Sequence, residues 1–165
     1  MAILREAGCA VVTARQQSGN GWRLHTRRGD TCRAMSQENV EIVRRAYDAF
    51  NARDLDGLLR LSAEDCEWVP LRAQLEGIVY RGHQGVRQFV DDMDEDWDGF
   101  RIDPLEFHDR GERVAVIGRV RALGQSGVAI EWIAGFVFEL QRGRIWRILS
   151  HSDPDAALEA LGLSE

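Results

Sequence analysis

Residues 128–153 constrain this chain more than any other stretch. Val128–Leu140 is rich in β-branched and aromatic side chains, Gln141–Arg144 is a short polar turn containing Gly143, and Ile145–Asp153 resumes the apolar pattern. Two such runs around a polar turn predict a β-hairpin. The first arm spans thirteen residues, about 43 Å of extended chain at roughly 3.3 Å per residue, which is long for a strand. A strand of that length has to bend, and Gly135 is the expected place for a bulge or kink. Near its middle both faces are apolar, with Trp132, Ala134, Phe136 and Phe138 on one and Ile133 and Val137 on the other. A sheet apolar on both faces must cover both, one over a core or pocket and the other against a helix or a second subunit.

The residues before the hairpin supply those layers. Val40, Val43, Ala46, Tyr47 and Phe50 recur at helical spacing, with Ser36 as the expected cap. Asp54 is expected to cap a short helix through Leu61, and Cys66–Val69 reads as a strand stopped by Pro70. Residues 71–82 read as a loop. A third helix follows, with Val86, Phe89, Val90, Met93 and Trp97 on one face and a run of aspartates and Glu95 on the other. That acidic run lacks the glycine and glutamate positions of a calcium loop, so it reads as a solvated face. Gly99 is expected to end the helix. Phe100–His108 carries Pro104 and suits an edge strand. Arg113–Leu123 alternates, with Val114, Val116 and Val120 on one side and Ala115, Ile117, Arg119 and Arg121 on the other. Pro154–Leu161 closes the chain with a short helix. Helices followed by hairpin-connected strands make an α+β domain with a curved antiparallel sheet; a Rossmann layout would need alternating βαβ units.

Composition narrows the function. A net charge of −6 argues against nucleic acid as a partner, and no apolar run reaches the roughly 18 residues of a membrane span. All twenty-one basic residues are arginine, which excludes lysine Schiff-base chemistry and a Walker-type lysine. Cys9, Cys32 and Cys66 show no paired spacing and read as reduced thiols of a cytoplasmic protein. Residues 1–34 carry six arginines against Glu6 and Asp30. Such a leader also resembles an organelle transit peptide, although no amphipathic face accompanies it. Met35 opens a natural start, so residues 1–35 are expected to be a disordered or spurious extension and 36–165 the domain.

Three stretches carry a resemblance: Val43–Leu59 with its Asn51-Ala52-Arg53-Asp54 break, Tyr80–Phe89, and Gly143–Arg147. Together with the closing Asp153–Leu163, they resemble the SnoaL-like family of the nuclear transport factor 2-like superfamily, related to ketosteroid isomerase and limonene-epoxide hydrolase. The resemblance implies a cone-shaped, cystatin-like sheet with helices on its concave side, a hydrophobic pocket, and usually a homodimer. Its chemistry is less settled, because one fold hosts isomerases, cyclases, hydrolases and proteins with no reaction. Isomerase chemistry needs a carboxylate base and two oxyanion donors. The corresponding positions fall on Ala46, near Pro70, and near Ala134 or Phe136, and are empty; Tyr47 lies one residue away and is expected to point elsewhere. The epoxide hydrolase pattern matches at Asp153 and Arg119 but meets Arg121 where its second aspartate belongs.

The candidate catalytic residues are therefore Asp153 as acid or base, Arg119 as anion stabiliser, and His151 as a shuttle. Asp153 before Pro154 is also a standard helix start. Trp68, Arg121, Trp132, Phe136, Phe138, Trp146 and Ile148 are the expected pocket lining, with Arg147 able to point either way. His83 suits a helix start and His108 an exposed turn. The histidines lack metal-ligand spacing, so no metal and no cofactor are expected. Two functions stay open: a small hydrophobic ligand bound with cofactor-free isomerase, cyclase or hydrolase chemistry, or a non-catalytic homodimeric module paired through the sheet.

Overall fold

A curved six-stranded sheet carries the fold of the structure, a computed structural model that describes residues 28–163, with side chains from residue 36 onward except 73 and 74. In chain order the elements are α1 (Arg28–Asn51), α2 (Leu55–Leu61), β1 (Ser62–Val69), α3 (Leu71–Glu76), β2 (Tyr80–Arg81), α4 (Gly82–Asp96), β3 (Trp97–Arg110), β4 (Arg113–Gly124), β5 (Ala129–Gln141), β6 (Arg144–His151) and α5 (Pro154–Ala160). The sheet runs β2-β1-β6-β5-β4-β3 and is open, with β2 and β3 at its edges. Every pair is antiparallel except β1 with β6, which is parallel, so the expected all-antiparallel sheet is mixed at that one seam.

The β4–β5 register is unbroken from Arg113 opposite Glu139 to Leu123 opposite Ala129. It therefore sorts side chains by parity along its whole length. Val114, Val116 and Val120, opposite Phe138, Phe136 and Trp132, face α1, α2 and α4 and form the main core. Ala115 and Val137 lie on the other face, where Ala157 and Leu161 of α5 bury them. Beyond the reach of α5, the outer face presents Arg119, Arg121, Glu131 and Ile133 to solvent or partial burial.

Gly135 does not bend the strand. The bulge falls instead between Glu139 and Leu140, where β6 pairs Arg147 and then Ile145 and leaves Trp146 unmatched. Gly135 serves the packing of α5. A Cβ there would lie 2.5 Å from the Cβ of Ala157 and 3.2 Å from the Cα of Pro154, so only a bare backbone lets the helix approach this closely.

Local signals account for most of the boundaries. Asp54 caps α2 by accepting from the Gly57 N–H at 2.9 Å. Asp153 caps α5 by accepting from the Asp155 N–H at 3.0 Å, with Pro154 at the first turn. Pro104 does sit in an edge strand, next to a register shift between Pro104 and Glu106. Asn51 ties the end of α1 to β3, donating to the Ile102 carbonyl at 2.7 Å and accepting from the Ile102 N–H at 3.0 Å.

Other expectations shift. Helix α1 begins at Arg28 rather than at Ser36, so the boundary expected at residue 35 falls within a helix; residues 1–27 lie outside the described residues. The expected loop 71–82 contains α3 and β2. Trp97 is not on α4 but opens β3. Among the described residues no helix is long and apolar enough to cross a membrane.

Candidate functional site

Between the inner sheet face and the helices lie two joined chambers. The inner one, about 60 Å³, is walled by Tyr47, Phe50, Trp68, Phe136, Phe138 and Ile148 among others. The outer one, about 510 Å³, is walled by Trp97, Phe100, Trp132 and Ala134, with His151, Arg72 and Asp96 also on its boundary. Phe89, Ile102, Phe136 and Ser150 belong to both, so the chambers are continuous.

The sequence builds this space with few devices. Helix α1 lays Ala46, Tyr47 and Phe50 along one face, since residues one and four apart still share an apolar stripe roughly 100° wide. Gly118 and Ala134 face each other across β4 and β5 and keep the sheet floor low. A Cβ on Gly118 would already stand 3.1 Å from Ile102 Cγ2 and 3.3 Å from Phe136. Edge-on aromatic pairs brace the walls, with Tyr47 at 5.5 Å from Phe138 and Trp68 at 5.4 Å from Phe89.

No arginine, acidic residue or histidine lines the inner chamber. Its polar features are Ser150, the Tyr47 hydroxyl and the Trp68 indole nitrogen. Tyr47 and Trp68 are only 4% and 6% exposed, and neither polar atom has a hydrogen-bond partner among the described residues. Burial pushes the Tyr47 hydroxyl well above its ordinary value, so it is a neutral donor. His151 Nε2, beside the outer chamber, is likewise buried and unpartnered, and burial lowers the imidazole, favouring its neutral form. Arg72 and Asp96 are exposed and pair with each other.

The expected site residues divide between the two faces. Trp68, Phe136, Phe138 and Ile148 stand in the inner chamber wall, and Trp132 and His151 border the outer one. Arg119 and Asp153 do not join them. Arg119 has the opposite parity to the buried Val120 and lies 3.3 Å from Glu131 on the outer face, while Asp153 is exposed and occupied as the α5 cap. The expected pairing of Arg119 with Asp153 at a ligand is thereby corrected: the strand alternation carries both away from the cavity. Arg121 also faces outward, bridging Asp103 at 2.9 Å and Glu131 at 3.0 Å, so it does not line the chambers. Trp146 is displaced by the β6 bulge and lines neither chamber. Arg147 points outward toward Glu67.

Tyr47 is the residue that sequence reasoning missed. Its signal was its membership in the apolar face of α1, which outweighs a one-residue offset from a family position. His83 sits in the first turn of α4, 3.3 Å from the Ser62 carbonyl, and His108 lies 3.1 Å from Glu106 near the β3–β4 turn. The acidic face of α4 is engaged in surface pairs, including Asp94 with Arg53 at 2.9 Å and Asp92 accepting from the Tyr80 hydroxyl at 2.6 Å. Among the described residues no group of three or more His, Cys, Asp or Glu side chains is placed to hold a metal ion.

Comparison with known proteins agrees with this architecture. The SnoaL-like domain family matches residues 43–148. An NTF2-like protein of unknown function from Burkholderia pseudomallei K96243 is 28% identical, with 75% of this chain and 97% of that chain covered at a TM-score of 0.65. An NTF2-like protein from Burkholderia xenovorans LB400 is 29% identical, with 76% and 97% covered at 0.60. TerC, co-crystallised with polyporic acid, is 26% identical, with 76% and 98% covered at 0.65. No curated protein sequence matches the chain.

Proposed function

The chain belongs to the SnoaL-like domain family, and from that premise we propose that it binds a small hydrophobic molecule in the joined chambers beneath α1 and α4. The observation that carries the reading is the space itself. Protein interiors leave few voids larger than a water molecule, whereas the outer chamber alone holds about 510 Å³ behind mainly apolar walls. That volume lies within the roughly 300–1,000 Å³ of small-molecule sites. A structural relative, TerC, was co-crystallised with polyporic acid, which accords with a ligand-binding use of the fold. Titration with the neutral apolar dye Nile red tests the reading. Saturable binding is expected, weakened at least tenfold by Ala134→Leu, which fills the outer chamber. Binding unaffected by that substitution, in a protein that keeps its wild-type melting profile, would place the site elsewhere.

A second reading, cofactor-free acid–base turnover, is favoured by His151. Of the expected catalytic residues it alone borders the chamber, and its neutral, unpartnered Nε2 can accept a proton. Under this reading, His151→Gln abolishes turnover of a bound substrate while leaving its affinity within about threefold. Turnover that survives the substitution would remove the enzyme reading.

A homodimer through the outer sheet face completes the proposal. Ile130 and Ile133 are exposed there, among Arg119, Arg121, Glu131 and Asp103. Both charge signs are interspersed, as a two-fold, self-complementary contact requires. A scattering mass of one chain at micromolar concentration would overturn it. A cytoplasmic setting suits the free, buried thiol of Cys66.

A further inference from the structure

We propose that the inner chamber receives a neutral carbonyl oxygen at the leading end of the ligand, held jointly by the Tyr47 hydroxyl and the Trp68 indole N–H. The inference rests on the pocket reading above and specifies which ligands the pocket accepts and which way round they lie.

Among the described residues, five buried side-chain polar atoms lack a hydrogen-bond partner: Tyr47 Oη, Trp68 Nε1, Arg119 Nε, Arg147 Nε and His151 Nε2. The two arginine atoms lie on the outer face, 3.3 Å and 3.6 Å from the carboxylates of Glu131 and Glu67, so their charge is compensated. The other three belong to residues bordering the chambers, and Tyr47 and Trp68 share the inner one. Native proteins pair nearly all buried polar groups, because an unpaired one carries its full desolvation cost. Two unpaired donors in one small chamber point to a common acceptor.

The chemistry of that acceptor follows from the walls. An indole N–H only donates, and a neutral phenol donates readily to a carbonyl; a carbonyl oxygen offers two lone pairs, one for each donor. A carboxylate or phenolate would enter with no counter-charge, since no arginine or histidine lines the inner chamber. Size gives the orientation. The inner chamber, about 60 Å³, admits an oxygen and its carbon, while an apolar body fits the 510 Å³ space beside Trp97, Phe100 and Trp132.

A matched pair of probes tests this: 9-fluorenone and fluorene, which differ by a carbonyl in place of a methylene. Calorimetric titration of the intact chain is expected to find fluorenone bound about tenfold tighter or more, the discrimination typical of a site with buried groups left unpaired by the wrong ligand. Tyr47→Phe is expected to remove most of that preference while leaving fluorene affinity as in wild type. Trp68→Phe serves as a second variant with the same expectation for the preference. Isotope-edited infrared spectra should show the fluorenone carbonyl stretch lowered on binding and partly restored in Tyr47→Phe. Fluorene-9-carboxylate is expected to bind more weakly than fluorene. If fluorenone and fluorene bind equally well, or if the preference survives both substitutions, the carbonyl inference fails and the pocket reading stands. If neither compound binds, the pocket reading fails and takes the inference with it.

Discussion

Substituting alanine for Gly135 tests how the last helix is seated on the sheet. The added Cβ would stand 2.5 Å from the Cβ of Ala157, 3.2 Å from the Cα of Pro154 and 3.3 Å from the Asp153 carbonyl oxygen. Carbon atoms rest about 3.5–4.0 Å apart, so the methyl pair alone must separate by roughly 1 Å. Strand β5 is held on both sides by β4 and β6 and cannot retreat, which leaves α5 to move. That helix seals Ala115 and Val137, 0% and 3% exposed, and is itself tethered where Arg110 Nη1 donates to the Leu161 carbonyl at 2.8 Å. Overpacking of this kind costs about 1–3 kcal/mol. For a chain of this size, that corresponds to a melting temperature lower by roughly 2–12 °C. Urea unfolding followed by tryptophan fluorescence measures it, with the midpoint lowered and the slope unchanged. Ala157→Gly removes the opposing methyl and by itself costs about 1 kcal/mol of helix propensity. Combined with Gly135→Ala it should be less damaging than the two single losses added together, by roughly 0.5–3 kcal/mol. Recovery stays incomplete, because the contacts with Pro154 and Asp153 remain. A Gly135→Ala protein within about 0.5 kcal/mol of wild type, or a strictly additive double variant, would refute the argument that this glycine exists for helix approach.

Further outcomes are expected from the site and its surroundings. Tyr47→Phe removes a buried hydroxyl with no partner, so the ligand-free protein should be no less stable than wild type and up to about 1 kcal/mol more stable; a loss above about 1 kcal/mol in urea unfolding would mean that the hydroxyl is paired. Asp153→Ala should cost about 0.5–2 kcal/mol through the lost cap, and Asp153→Asn much less, with Nile red affinity unchanged in both; weaker binding in Asp153→Asn would restore Asp153 to the site. His151 is lowered in the folded state from its ordinary 6.5, so the unfolded chain takes up its proton first as pH falls. Its contribution is therefore fully present above about 6.5 and is lost between that value and the lower folded one. Stability measured by urea unfolding from pH 7.5 to 5.5 should fall less steeply in His151→Gln than in wild type, and identical slopes would contradict the burial of this imidazole.

Much of the architecture was legible because the signals are local. Asp54 and Asp153 satisfy helix N–H groups two or three residues away, and Pro104 cannot serve a central strand, so each marks its boundary without help from distant residues. The hairpin arms at β5 and β6 follow from side-chain type and the polar turn between them. Position in space was harder to read. Trp146 looked like pocket wall by composition, yet a single bulge at Glu139–Leu140 removes it from the alternation. Tyr47 looked misplaced by one residue, yet a helix face is wide enough to include both Ala46 and Tyr47.

Residue order by itself determined the succession of helices and strands, the two capped helix starts, the family resemblance and the supply of aromatic residues for a pocket. Only the tertiary structure decided which face of β4 and β5 became the inside. Alternation divides Val114, Val116 and Val120 from Ala115, Arg119 and Arg121, but it is symmetric: nothing within a strand states which set meets the helices. The docking of α1 and α4 on one face and α5 on the other breaks that symmetry. With it, Arg119 and Asp153 go to the surface, and Tyr47 and Trp68 come to share one chamber.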